Sequence, residues 1–422
     1  MIIAPFKKGE FKIISQYASN SFSLTPLLKK GNLKAKTSFM ELYSDFKRKG
    51  DISRLASIID SEVKKTINIM EICGGHTHSI MKYGLHILLK DKINFLHGPG
   101  CPVCVMPVKR IDEAIEIADL PDVILAAYGD MMRVPGTDGS LIKERAKGRD
   151  VRMVYSPLDI IKIALDKANK DKKIVFLAIG FETTTPMTAA LLEEVIARGI
   201  NNVLFHVNHV LVPPPIKAIL DSGDNLIDGF ICPGHVSVMT GSGIYDDIPS
   251  KYGKAAVIAG FEPYDILSGV LLATRQINEN RPTVEIAYKR AVKENGNMKA
   301  QALVNKYFTV RDEFEWRGFG NIPESGLKLR DEFRDFDAEY VFKDRLKGLK
   351  LRADEKNAGL SGLAVRTDNE NASCKCGEIL KGKSKPDDCP LFGKACNPEN
   401  PVGACMVSFE GACAAYYKYR NF

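Results

Sequence analysis

Between residues 66 and 265 the chain repeats one pattern, a short apolar run followed by a helical stretch. The runs are "TINIMEI", "INFLH", "DVILAAY", "VRMVY", "KKIVFLAIG", "NNVLFHV", "LIDGFI" and "AAVIAG". They are rich in isoleucine and valine and do not alternate strictly with polar residues, which suits strands buried on both faces. Between them, "SPLDIIKIALDKANK" and "TPMTAALLEEVIARG" are apolar at helical spacing. Ser156-Pro157 and Thr185-Pro186 read as N-cap plus first-turn proline, and Gly199 stops the second helix. Such alternation gives parallel sheets with right-handed crossovers. The expected class is α/β, with two Rossmann-like α/β lobes over roughly 40–150 and 151–265. "AIGFE" (178–182) and "IAGFE" (258–262) hint at repetition, but five residues do not establish a duplication.

The pattern changes after 265. "DILSGVLLATRQINEN" reads as a helix crossing back to the first lobe, opening a connecting region over 266–365. From 366 to 422 the chain is rich in Gly, Pro and Cys with little periodicity. A segment so poor in core residues needs a staple, and cysteines binding a metal would supply one.

The unusual residues of the α/β region fall where such sheets bind ligands. "CGGHTH", "GPGCPVC", "YGDMMRVPG", "GFETTTP", "HVNHVLVPPP" and "CPGHVSV" each follow an apolar run. Each therefore lies at the carboxyl end of an expected strand, the binding edge of an open parallel sheet. Two lobes with these edges facing one another make a cleft lined by the motif loops.

Charge and leader features narrow the setting. The net charge is +7, but Lys and Arg are spread along the chain. A nucleic-acid surface needs a clustered basic face, so that class is disfavoured. The basic first 50 residues read as a solvated, partly flexible tail. "MIIAPFKKGEFK" has no apolar signal core, and runs such as "IVFLAIGF" are far shorter than the ~20 residues of a membrane helix. A cytoplasmic protein is expected, where thiols stay reduced. Ten cysteines in that setting call for metal or redox chemistry.

Their distribution defines two regions. Cys73, Cys101, Cys104 and Cys232 share the first part of the chain with all seven histidines (His76, His78, His86, His97, His206, His209 and His235). Cys374, Cys376, Cys389, Cys396, Cys405 and Cys413 crowd a tail that has none.

Cys101-x-x-Cys104 precedes the expected helix "VKRIDEAIEIADL", and a helix N-terminus would lower a thiol pKa there. The pair suits redox or transient metal chemistry. A buried structural turn and a zinc site with Cys73 and a histidine are the alternatives. Cys73 reads as a thiolate ligand or nucleophile, or as a small buried hydrophobe. Gly74 and Gly75 would admit a close ligand, and His76 and His78 would tune the thiolate, one of them serving only in packing. Cys232 reads mainly as packing. Asp130, Glu182 and Glu262 share the edge as general bases, orienting groups or helix caps. The tail cysteines form an all-thiolate set. Zinc ribbons show paired knuckles, and the closest pair here is Cys374-x-Cys376, so a [4Fe–4S] cluster fits better than zinc.

These motifs resemble one family. "MEICGGHTH", "HGPGCPVCV", "GFETTTP", "CPGHVSV", "GFEP" and the closing "CGEILKGKSKPDDCPLFGKACNPENPVGACMVSFEGACAAYY" are similar, in order, to those of HypD, the [NiFe] hydrogenase maturation family. The resemblance implies a third, iron–sulfur domain over 366–422 whose [4Fe–4S] ligands are Cys374, Cys389, Cys396 and Cys413, spaced C-x14-C-x6-C-x16-C. Cys376 and Cys405 are then spare.

The resemblance also implies a metallocentre-assembly scaffold with redox activity rather than a conventional turnover enzyme. Iron carrying two cyanides and one carbon monoxide would be built on it, with a HypC-like chaperone and a HypE-like cyanide donor as partners. Cys73 would ligate that iron with His76 beside it, the glycines leaving room for the iron. Cys101 and Cys104 would be the redox pair, and no membrane or nucleic acid is involved. Family members begin shortly before "MELYSDFKRKG", so residues 1–39 read as a flexible, poorly packed extension and Met40 as an alternative start. Two rival readings stand beside this one: an iron–sulfur thiol–disulfide oxidoreductase acting on another substrate, and a zinc-stabilised binding module.

Overall fold

The computed structural model describes residues 49–348 and 373–419. The extension expected over 1–39, Met40 and residues 366–372 lie outside the described residues. All eight apolar runs form strands: β1 (Ile67–Glu71), β2 (Ile93–His97), β3 (Val123–Tyr128), β4 (Val151–Val154), β5 (Lys173–Gly180), β6 (Val203–His209), β7 (Gly229–Pro233) and β8 (Ala255–Ala259). A ninth, β9 (Val284–Ile286), follows them. They make two wholly parallel sheets flanked by helices, ordered β2-β1-β7-β8-β9 and β4-β3-β5-β6.

The sheets divide the chain differently from the boundary drawn at 150. β3 and β4 are paired neighbours, so that boundary cuts through one sheet. β1 and β2 share their sheet with β7, β8 and β9, which lie more than a hundred residues further on. The chain starts the first sheet, builds the whole of the second, and returns to place β7 beside β1. Hydrophobic runs reveal that strands exist. They do not reveal which strands are neighbours.

The helix Pro263–Asn278 does run back across the first sheet. It packs on the helix Lys49–Glu62, where Arg275 makes a forked ion pair with Glu62. The helix Val108–Ala118 joins the sheets, following β2 and preceding β3. It is anchored by a buried charge network. Arg110 donates to Glu113 at 2.8 Å, to Glu339 at 2.7 Å and to the Val207 carbonyl of β6 at 2.8 Å. His206 of β6 sits 3.2 Å from the same Glu113 carboxylate.

The cysteine-rich tail is no loose appendage. Its short helices Cys376–Leu380, Ala404–Val407 and Ala412–Tyr419 contribute Ile379, Met406 and Ala412 to the core that also holds Met70, Leu125 and Phe230 from the two sheets. Helices this short leave no legible period, which is why the sequence showed only a segment in need of a staple.

Candidate thiol and metal centre

Most motif residues sit at or just beyond the carboxyl ends of their strands, but the "HVNH" of "HVNHVLVPPP" lies within β6 itself. Cys73 follows β1, Cys101 follows β2, Asp130 follows β3, Glu182 follows β5, and His235 follows β7. Cys73 is the N-cap of the helix Gly74–Lys82, and the Gly75 N–H donates to its Sγ at 3.3 Å. The nearest imidazole is that of His235, whose Nε2 lies 3.8 Å from Cys73 Sγ. β7 pairs with β1, which is what brings the loop "CPGHVSV" beside "CGGHTH". The motif was legible in the sequence, but without the strand order nothing singled out His235.

His76 is turned elsewhere. Its Nε2 bonds the Gly260 carbonyl at 2.9 Å, and its ring stacks on Phe261 at 4.5 Å. Burial lowers its pKa to about 4, so it is neutral, and its buried Nδ1 has no hydrogen-bond partner. His235 is likewise held neutral by burial, at about 3. His78 serves packing. It stacks on Phe409, and its Nε2 lies 3.1 Å from the Tyr419 hydroxyl.

The glycines do not open the space expected of them. A side chain at Gly74 would collide with the Glu410 carbonyl of the tail, and one at Gly75 would meet the Phe261 ring at 3.1 Å. The room at Gly74 is taken by the chain's own tail.

Burial pushes the Cys73 thiol well above its ordinary pKa. The nearby Glu410 and Glu71 charges add to the rise, while the Gly75 and His76 N–H groups oppose it. Such a thiol keeps its proton at neutral pH and is a poor free nucleophile. A bound cation would supply the charge that makes the thiolate favourable.

The Cys-x-x-Cys loop lies against the Cys73 loop. Gly74 N–H donates to the Gly100 carbonyl at 3.3 Å, and a side chain at Gly100 would collide with the Cys73 backbone. Cys101 Sγ accepts from the Cys104 N–H at 3.3 Å, and both thiols are buried. Burial raises the Cys104 pKa, and hydrogen bonding to Cys101 and Cys405 raises it further. Cys405, spare in the sequence reading, is thus a neighbour of the pair. It also hydrogen-bonds to Cys376 and Cys413, and the Cys413 N–H donates to its Sγ at 3.2 Å.

Cys413 senses the charges of Cys376, Cys374 and Cys396, and the Val402 N–H donates to Cys396 Sγ at 3.4 Å. Cys389 Sγ lies 3.9 Å from the carbonyl of Ser373, the residue before Cys374. Among the described residues no three His, Cys, Asp or Glu side chains converge as a single metal ion would need. The tail donors are all sulfur, backbone N–H groups reach Cys396 and Cys405, and all-thiolate donors are the kind that suit a multi-iron cluster.

The acidic candidates are placed as follows. Asp130 is exposed and accepts from the tail's Ser408 at 3.3 Å. Glu182 Oε1 accepts from the Val212 N–H at 2.9 Å, while Oε2 is enclosed without a partner. Burial lifts this carboxyl to about 7. Tyr245, fully buried, senses the charges of both Glu182 and Cys73. Cys232 is fully buried and belongs to the core.

Taken together, fold and site define an α/β protein built on two parallel sheets, with a buried thiol–imidazole centre beside the Cys101/Cys104 pair, which meets a cysteine-rich tail at Cys405. The chain belongs to the HypD family, whose members are hydrogenase maturation factors. The family profile described as "Hydrogenase formation hypA family" matches residues 51–420. The chain is 46% identical to "Hydrogenase maturation factor HypD2" of Bradyrhizobium diazoefficiens, over 91% of this chain and 98% of that protein. It is 46% identical to HypD of Azotobacter vinelandii (90% and 97% covered) and 44% identical to HypD of Escherichia coli K12 (87% and 92% covered). Among the described residues, no helix is long and apolar enough to cross a membrane.

Proposed function

We propose that this maturation factor works in the cytoplasm as the scaffold on which the iron of [NiFe] hydrogenase receives two cyanides and one carbon monoxide. The iron is the cargo, and Cys73 is its ligand on this chain. A small HypC-like chaperone supplies a second cysteine, and a HypE-like partner supplies cyanide. The supporting observation is the setting of Cys73, a proton-retaining buried thiol 3.8 Å from the neutral imidazole of His235. A thiol so placed gains most from a soft, positively charged ligand. Cys101 and Cys104 cycle between dithiol and disulfide, each oxidation releasing two electrons and two protons. Cys374, Cys389, Cys396 and Cys413 hold a [4Fe–4S] cluster, which stores and passes single electrons when bound. Glu182, with a buried carboxyl raised to about 7, is the group suited to hold or move a proton, while His76 and Asp130 orient their neighbours through Gly260 and Ser408.

Anaerobic purification with the small partner tests this reading. Infrared bands of iron-bound cyanide and carbon monoxide are expected in the complex. Cys73→Ala is expected to remove them while the visible absorbance of the cluster persists. Bands surviving in Cys73→Ala would refute the ligand assignment. A second reading, thiol–disulfide oxidoreduction on another substrate, draws on the Cys101–Cys104–Cys405 contacts alone. It predicts no such bands in any complex.

A further inference from the structure

Two residues before Cys73 stands a carboxylate that the chemistry above does not use. Glu71 is fully buried at the end of β1. Its Oε2 accepts from the Cys73 N–H at 3.1 Å. Its Oε1 accepts from the Thr77 hydroxyl in the first turn of the next helix, and pairs with His97 Nδ1 at 2.7 Å. His97 is opposite Glu71 in the parallel register of β1 and β2. Its other nitrogen, Nε2, lies 3.0 Å from the Tyr416 hydroxyl, and the two rings meet edge to face at 5.2 Å. Tyr416 is one helical turn beyond Cys413 in Ala412–Tyr419. All three side chains are buried, so each hydrogen bond lost leaves a desolvated polar atom behind.

We infer that Glu71, His97 and Tyr416 form a positioning chain that fixes the Cys73 backbone only while the helix carrying Cys413 is seated. Glu71 clamps both ends of the turn that presents the Cys73 sulfur, at the Cys73 N–H and at Thr77. His97 holds Glu71 from behind, and Tyr416 holds His97 from the tail. Seating of the cysteine-rich tail is thereby read out at the thiol by hydrogen-bond geometry. The same helix packs against Gly74–Lys82, which bears the other side of the turn. The inference holds whether or not Cys73 binds iron.

Thiol reactivity in the isolated full chain tests it. Iodoacetamide labelling of Cys73, followed by mass spectrometry, is compared with labelling of Cys101 and Cys232. Tyr416→Phe removes one hydroxyl and keeps the ring. It is expected to speed Cys73 labelling by roughly three- to tenfold, the worth of one buried hydrogen bond, with the other thiols unchanged. Thr77→Val should do the same from the opposite end, and Thr77→Ser, which keeps the hydroxyl, should restore the original rate. Unchanged Cys73 labelling in both Tyr416→Phe and Thr77→Val would overturn the proposal. So would a uniform rise at all three cysteines, which reports general loosening. If a variant does not accumulate, amide exchange on the unsubstituted protein decides. The Cys73 amide should be protected like those of β1, and fast exchange there overturns the inference.

Discussion

The main-chain N–H of Gly74 donates to the carbonyl of Gly100 at 3.3 Å, and this bond joins the loop of Cys73 to the loop of Cys101 and Cys104. The contact is backbone on backbone, so its tolerance for added atoms is low. Gly100→Ala would drive a methyl group into the Cys73 backbone. The expected cost is about 1–3 kcal/mol in urea unfolding, the range for overpacking a tight site. Gly50→Ala, at the second residue of the helix Lys49–Glu62 with open space around it, is the control and should leave the urea midpoint unchanged or slightly raised.

Cys104 has two thiol neighbours, Cys101 in its own loop and Cys405 in the tail. Mild oxidation with diamide should therefore give two Cys104 products, one closed to Cys101 and one to Cys405. Cys405→Ser should leave only the first. Peptide mapping without reduction checks this, and a Cys104 product with neither partner would count against the geometry.

The helix after the Cys-x-x-Cys loop depends on Arg110. Arg110→Ala would leave the buried Glu113 without its guanidinium, while the half-buried Glu339 keeps only Arg311. Breaking one partner of such a set costs about 3–5 kcal/mol, far more than losing a surface pair. The urea midpoint is expected to fall sharply, with Cys101 and Cys104 becoming easier to label.

Glu182 gives stability a defined pH slope. Burial raises its carboxyl from 4.5 to about 7, so the folded protein holds a proton that the unfolded chain has released. This favourable contribution is complete below pH 4.5 and is lost as the pH climbs to 7. The span is worth up to about 3 kcal/mol. Glu182→Gln, which cannot ionise, should lack the slope. Unfolding of both proteins across that window measures the difference.

His209 acts in the opposite sense. It is buried, bonded to Thr188 at 2.9 Å, and its pKa is lowered to about 4 by burial. Its contribution is present above the ordinary value of 6.5 and disappears as the pH falls to 4. Down to pH ~5 the loss should reach about 2 kcal/mol. His209→Gln should flatten the acid limb of the stability curve.

The strands and the loops at their ends were legible because an uninterrupted Ile/Val run has few other uses, and the motif residues stand at its end. The partnership of Cys73 with His235 was not, because it rests on β7 lying beside β1 across more than 150 residues of chain. The place of Cys405 was hidden for a related reason. Ligand spacing counts residues, whereas its neighbour Cys104 is reached only through packing of the tail on the sheets. The glycine pair misled in an informative way. Absence of a side chain signals that something comes close, without saying whether it is a guest or the chain's own Glu410.

The insertion of β7 beside β1 sets an order on biosynthesis. As the polypeptide leaves the ribosome, β3 to β6 are complete by His209, while β1, flanked by β2, waits for its other neighbour, which ends at Pro233. The middle of the chain can thus settle first, and the loop bearing Cys73 acquires its final surroundings only after His235, and then Glu410, have been made. An immature, half-translated chain therefore cannot display a finished sulfur centre.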